Sequence, residues 1–95
     1  MSSNGSGDQR TLKIRNKRGL HARASAKFVT VAGDYNASIT VTKDGTSVCG
    51  TSIMGLMMLA AGIGEEIDVT VEGEQKDQLL DAIVTLVEDK FGEEI

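Results

Sequence analysis

The chain is predicted to fold as an open-faced α/β sandwich (α+β class) of order β-α-β-β-α-β-α, a four-stranded antiparallel sheet covered on one face by three helices. Three observations predict it. Stretches such as Thr11–Arg15, Ala37–Lys43 and Glu66–Glu72 alternate apolar and polar residues, so each strand has one wet face and one buried face. Asp44-Gly45 follows the second of these stretches and is the pair that two-residue hairpin turns prefer. Leu79, Leu80, Ile83, Leu86, Val87 and Phe91 then repeat at helical spacing. A sheet that is polar on one face can take its helices only on the other.

Met1 to Gln9 is rich in Ser, Gly and Asn without periodicity, and residues 1–9 are expected to be a disordered leader or expression remnant ahead of a single domain over 10–95. The first strand is expected over Thr11–Arg15, with Leu12 and Ile14 inward. A helix then runs from the His21 segment to about Ala32, and Gly33 fits the left-handed position that ends helices. Ile39 and Val41 mark the inner face of the second strand, and Thr46 to Gly50 returns as the third. Ser52 is expected as the N-cap of a short helix, Ile53 to Leu59, that is apolar nearly all round. It is either an ordinary core helix or an exposed patch for a partner, a task that flexible Met suits. Gly62 and Gly64 break the chain before the fourth strand, in which Ile67, Val69 and Val71 point inward. The final helix follows Gly73 and is expected to end near Gly92.

Composition narrows the function. Hydrophobic residues make up 40% of the chain, enough for a globular core. No apolar run approaches the roughly 20 residues of a membrane span, so no membrane association is expected. A net charge of −4 gives no reason to expect nucleic-acid binding. The basic residues nevertheless crowd the first third: Arg10, Lys13, Arg15, Lys17, Arg18, Arg23 and Lys27 surround the only histidine, which suggests a dock for an acidic partner. One cysteine, Cys49, excludes an internal disulfide and, with one histidine, a cysteine-based zinc site; no metal or cofactor is expected. The lone thiol and the lack of a signal-peptide pattern lead to an expectation of the cytoplasm.

His21 stands after Gly19-Leu20 and before a helix-forming run. By position alone such a histidine is a partly exposed residue with a local hydrogen bond. A second reading is chemical. Backbone N–H groups at a helix start lack intrahelical partners, and together with the helix dipole they favour a bound anion over a charged imidazole. An exposed, neutral His21 could then act as a nucleophile, and Arg23 could fork onto the same anion.

The word Gly19-Leu20-His21-Ala22-Arg23 resembles the phosphorylation-site signature of the HPr family, the histidine-containing phosphocarriers of the bacterial phosphoenolpyruvate phosphotransferase system. A second stretch, Ser52-Ile53-Met54-Gly55-Leu56-Met57, is similar to the segment that carries the regulatory serine in many HPr proteins. The resemblance covers roughly Leu12 to the C-terminus and includes the order of the elements. It implies a monomeric phosphocarrier rather than an enzyme. By that resemblance His21 accepts a phosphoryl group on Nδ1 from enzyme I, with phosphoenolpyruvate as ultimate donor. It passes the group to an enzyme IIA-type acceptor, assisted by Arg23. The resemblance also implies docking through Ile53, Met54 and Met57, and phosphorylation of Ser52 by an HPr kinase/phosphorylase. One departure stands out: the family usually has proline after the arginine, where this chain has Ala24. The Leu-Met-Met-Leu run and the Phe91-Gly92-Glu93-Glu94 ending look somewhat more like the nitrogen-related branch than the sugar-transport one. The alternative is a regulatory or small-ligand-binding α/β sandwich without phosphotransfer, which would give His21 and Arg23 no common task.

Overall fold

The computed structural model describes residues 8–95. The leader expected over 1–9 lies outside the described residues as far as residue 7; Gln9 already opens the first strand, and the Asp8 carboxylate meets Lys76 Nζ at 2.7 Å. The element order is the expected one: β1 (Gln9–Lys13), α1 (Ala22–Gly33), β2 (Ser38–Lys43), β3 (Thr46–Cys49), α2 (Ile53–Met58), β4 (Glu66–Glu72) and α3 (Lys76–Glu88). A single 3-10 turn, Lys90–Gly92, follows α3.

The strands form one antiparallel sheet in the order β1-β4-β2-β3. Its register sets apolar residues opposite one another: Leu12 faces Ile67, Val41 faces Val69, and Ile39 faces Val71. These side chains are buried under the helices with Phe28 of α1, Leu56 of α2 and Leu79, Ile83 and Val87 of α3. The opposite face carries exposed Thr11, Thr40 and Thr70, as the alternation requires. At the β2–β3 turn both Asp44 (φ 51°) and Gly45 (φ 83°) are left-handed, the geometry that matches the twist of a hairpin. Cys49 ends β3 exposed, its Sγ 2.9 Å from the Thr51 hydroxyl. Hydrogen bonding to the Thr51 side chain and then its backbone outweighs the little burial there and lowers the thiol's pKa from its ordinary value.

Two helix ends differ from expectation. Gly33 is the last residue of α1 rather than its left-handed terminator, because the Asp34 N–H bonds to the Val31 carbonyl at 3.1 Å and turns the chain without a positive φ. The final helix stops at Glu88, not near Gly92. Lys90 (φ 57°), Phe91 (φ 55°) and Gly92 (φ 79°) are all left-handed, so the chain doubles back there. Phe91 lies at i+4 from Val87 and stays fully buried, which is why it fits the helical period although it lies outside the helix. This reversal sends residues 93–95 across the start of α1, where the Lys17 N–H bonds to the Ile95 carbonyl oxygen at 3.1 Å and Lys27 Nζ bonds to the Phe91 carbonyl at 2.7 Å.

Candidate phosphohistidine site

The loop between β1 and α1 is held from both sides before it presents His21. Asn16 is fully buried, and its side-chain amide donates to the Gly19 carbonyl at 2.9 Å. Gly19 is left-handed (φ 65°) and packs so closely on the loop after α2 that a Cβ there would come 2.3 Å from the Ala61 carbonyl oxygen. The next amide, Leu20 N–H, donates to that same oxygen at 3.0 Å. Only glycine meets both demands. Gly19→Ala is therefore expected to destabilise by roughly 1–3 kcal/mol through backbone strain and overlap, with the loss read from a denaturant melt. A melt within experimental error of wild type would show that the loop can move off Ala61 freely.

His21 is the N-cap of α1, with extended backbone (φ −73°, ψ −179°). Its carbonyl accepts the first helical bond from the Ser25 N–H at 2.9 Å. The buried Ser25 hydroxyl in turn donates to the Leu20 carbonyl at 3.2 Å, tying the first turn to the loop. The imidazole supplies the cap itself, because Nδ1 accepts from the Arg23 N–H at 3.2 Å. One first-turn donor expected to face an anion is therefore engaged by the ring. A group attached to Nδ1 would displace that bond and inherit the amide. Ala24, the residue in the place of the family's proline, is the third helical residue and is fully buried; the helix forms from Ala22 without it.

The ring is also less open than the sequence suggests. Only 16% of the His21 side chain is exposed, because Glu93 from the returning tail sets its Oε2 against Nε2. The other carboxylate oxygen, Oε1, accepts from the Asn16 amide at 3.0 Å. Burial alone would raise the Glu93 pKa, but the hydrogen bonds from Asn16 and His21, with the charges of His21 and Arg18, outweigh it and hold the carboxyl below its ordinary value. Neither residue carries a local sequence signal for this role. Asn16 reads as a turn residue and Glu93 as part of an acidic ending, and only the reversal at Lys90–Gly92 brings the two together.

Arg23 is exposed on the first turn, and its guanidinium has no carboxylate partner among the described residues. Beside it lies a shallow groove lined by Ala26, Lys27, Thr30, Val31 and Leu86. Ser52 caps α2 as expected: its hydroxyl accepts from the Gly55 N–H at 3.0 Å. Gly55 permits the approach, since a Cβ there would stand 3.1 Å from both that hydroxyl oxygen and Val48 Cβ. Of the apolar helix, only Leu56 is buried, whereas Ile53, Met54 and Met57 are exposed. Two further residues absent from the expected patch are more open than most of it: Met58 is 76% exposed and Ile63 57%. The patch and His21 share a support, because the loop that leaves α2 carries the Ala61 oxygen on which Gly19 and Leu20 rest.

Comparison with known proteins agrees with this geometry. A family model described as the PTS HPr component phosphorylation site matches residues 8–89. The phosphocarrier protein HPr of Pseudomonas aeruginosa is 51% identical over 83 residues, covering 86% of this chain and 92% of that protein. The phosphocarrier protein NPr of Shewanella violacea is 40% identical over 85 residues, covering 90% and 93% of the two chains. The crystal structure of HPr-C-His from Thermoanaerobacter tengcongensis superposes with a TM-score of 0.87 at 41% identity, covering 92% of this chain and 98% of that one. With the sandwich intact, a histidine capping α1 and the family match running through both, this chain belongs to the HPr family of phosphocarriers of the phosphotransferase system.

Proposed function

We propose that this chain carries a phosphoryl group on Nδ1 of His21, taking it from phosphorylated enzyme I, itself charged by phosphoenolpyruvate, and passing it to a histidine of an enzyme IIA-type protein. The observation that carries the reading is the cap. Nδ1 accepts from a first-turn N–H, so the lone pair that would attack phosphorus already points at the positive end of α1. Once the bond to phosphorus forms, the Arg23 amide can turn to a phosphoryl oxygen, and the exposed Arg23 guanidinium can share the charge. Stabilisation by amides and one mobile cation is moderate, which suits a group that must be handed on. The chain needs no cofactor for this and works as a carrier, a monomer in the cytoplasm.

Incubation with phosphoenolpyruvate, magnesium and an enzyme I, followed by intact mass, tests the reading. One acid-labile phosphoryl group should appear; a protein that gains none would be a regulatory or ligand-binding relative instead.

Ile53, Met54 and Met57, extended by Met58, form the apolar surface on which we place the partner proteins. Their exposure supports that reading, since a core helix would have hidden them. Ser52 borders this surface. Its hydroxyl is a cap worth about 1 kcal/mol, and a phosphate there would be held by the same donors. Ser52→Asp is expected to melt near wild type but take up phosphoryl groups more slowly at limiting enzyme I. The partner would have to desolvate an added charge beside the methionines. Ser52→Ala should lose about the value of the cap and transfer normally. Equal uptake by the aspartate variant and the wild type would reduce Ser52 to a cap.

A further inference from the structure

Groups from both ends of the sequence meet around the ring: the Asn16 side chain and the Arg23 amide from the segment that carries it, and Glu93 from 72 residues away. Asn16, buried in the loop before α1, fixes one oxygen of Glu93 at 3.0 Å; the other oxygen lies against His21 Nε2. On the far side of the ring the Arg23 amide donates to Nδ1. An amide N–H can only donate, so Nδ1 bears the lone pair. The ring proton then sits on Nε2, facing the carboxylate.

We propose that Glu93 is a positioning residue for phosphoryl transfer, holding the ring proton on Nε2 and balancing the charge the ring acquires when Nδ1 attacks; the role rests on His21 being the acceptor. The chemistry requires such a charge. As the Nδ1–phosphorus bond forms, the bond from phosphorus to the donor protein's phosphorylated side chain breaks, and its electron pair leaves with the donor. The Nε2 proton stays in place, so the ring becomes a cation. A carboxylate already in contact with Nε2, and itself aimed by a buried amide, stabilises that cation without moving, an arrangement comparable to the acid behind the histidine of a Ser-His-Asp triad. On onward transfer the charge disappears and the lone pair returns to Nδ1. Arg18, Lys17, Arg23 and Lys27 are the cations around this end of the fold; the carboxylate thus also sets a negative charge among groups that would otherwise oppose a cationic ring.

A plain tether would use the same contacts, so the test must separate the two. Glu93→Gln preserves size and can still accept from Asn16 but carries no charge. With a phosphorylated donor protein, its maximal rate of phosphoryl uptake is expected to fall about tenfold. The donor concentration giving half that rate should stay within about twofold, since docking is untouched. Glu93→Asp should recover part of the rate, and added formate should partly rescue Glu93→Ala, which no tether predicts. In the unphosphorylated protein, nitrogen NMR should find the ring proton on Nε2 and protected from exchange in wild type, but rapidly exchanging in Glu93→Ala. An unchanged maximal rate in Glu93→Gln, a loss confined to donor affinity, or a tautomer indifferent to Glu93 would each overturn the proposal. If wild type gains no phosphoryl group, the reading of His21 fails and this role with it. If wild type is labelled and Glu93→Gln keeps pace, the role of Glu93 fails alone.

Discussion

His21→Ala is expected to abolish phosphoryl uptake outright while leaving the domain folded. No other histidine exists to take the group, and Cys49 ends β3 on the far strand of the sheet order, its sulfur hydrogen-bonded with the Thr51 hydroxyl. The structural consequences are local. The variant loses the ring's bond to the Arg23 amide and its contact with Glu93, a capping loss of about 1 kcal/mol. Phe28, Leu56, Ile83 and the strand interiors are untouched, and the His21 carbonyl still accepts from Ser25, so α1 still starts at Ala22. A cooperative melt at slightly lower denaturant, together with intact mass showing no phosphoryl gain, is the expected pair of results. Acid-labile label at wild-type stoichiometry on a folded His21→Ala protein would remove His21 from the mechanism. The melt is indispensable, because an unfolded variant would also fail to label and would say nothing about chemistry.

The sheet and helices were legible because their signals are local. Alternation at Ile67, Val69 and Val71 fixes which face is buried whatever the partner strand, and a two-residue Asp-Gly turn leaves the β2–β3 hairpin one register. The place of His21 at the start of α1 was legible from the helix-forming run that follows it, and the capping role of Ser52 from a hydroxyl residue set directly before an apolar helix. The lid over His21 was not legible. Its geometry depends on three consecutive left-handed residues, two of them Lys90 and Phe91, which have no conformational preference for that region. Phe91 continues the i+4 series from Leu79, Ile83 and Val87, so periodicity alone extends α3 over it. The exposure expected for His21 failed for the same reason, since the carboxylate that covers it comes from 72 residues away. Contacts across such separations leave no local pattern to find.

That reversal leads to a second large effect, on stability. Phe91→Ala should cost about 3–5 kcal/mol, a large share of the 5–15 kcal/mol typical of a domain. Phe91 is fully buried, yet its backbone and that of Lys90 lie in a region that costs roughly 1–2 kcal/mol for each L-residue. Burial of the aromatic ring is what outweighs this strain. Without the ring, a cavity would remain under strained backbone, and the cheaper outcome is for the 3-10 turn and residues 93–95 to detach. The loss should therefore sit near the lower end of the range and appear as local opening. Amide exchange at Gly92 and Glu93, whose N–H groups bond to the Asp89 and Lys90 carbonyls, should rise well ahead of exchange in β2 and β4. Since Glu93 would leave with the turn, phosphoryl uptake should fall to about the level of Glu93→Gln, and combining the two substitutions should slow it little further. Phe91→Leu, which keeps an apolar anchor, should retain most of both stability and rate. A Phe91→Ala protein that melts within about 1 kcal/mol of wild type would show that the reversal is held by something other than this ring.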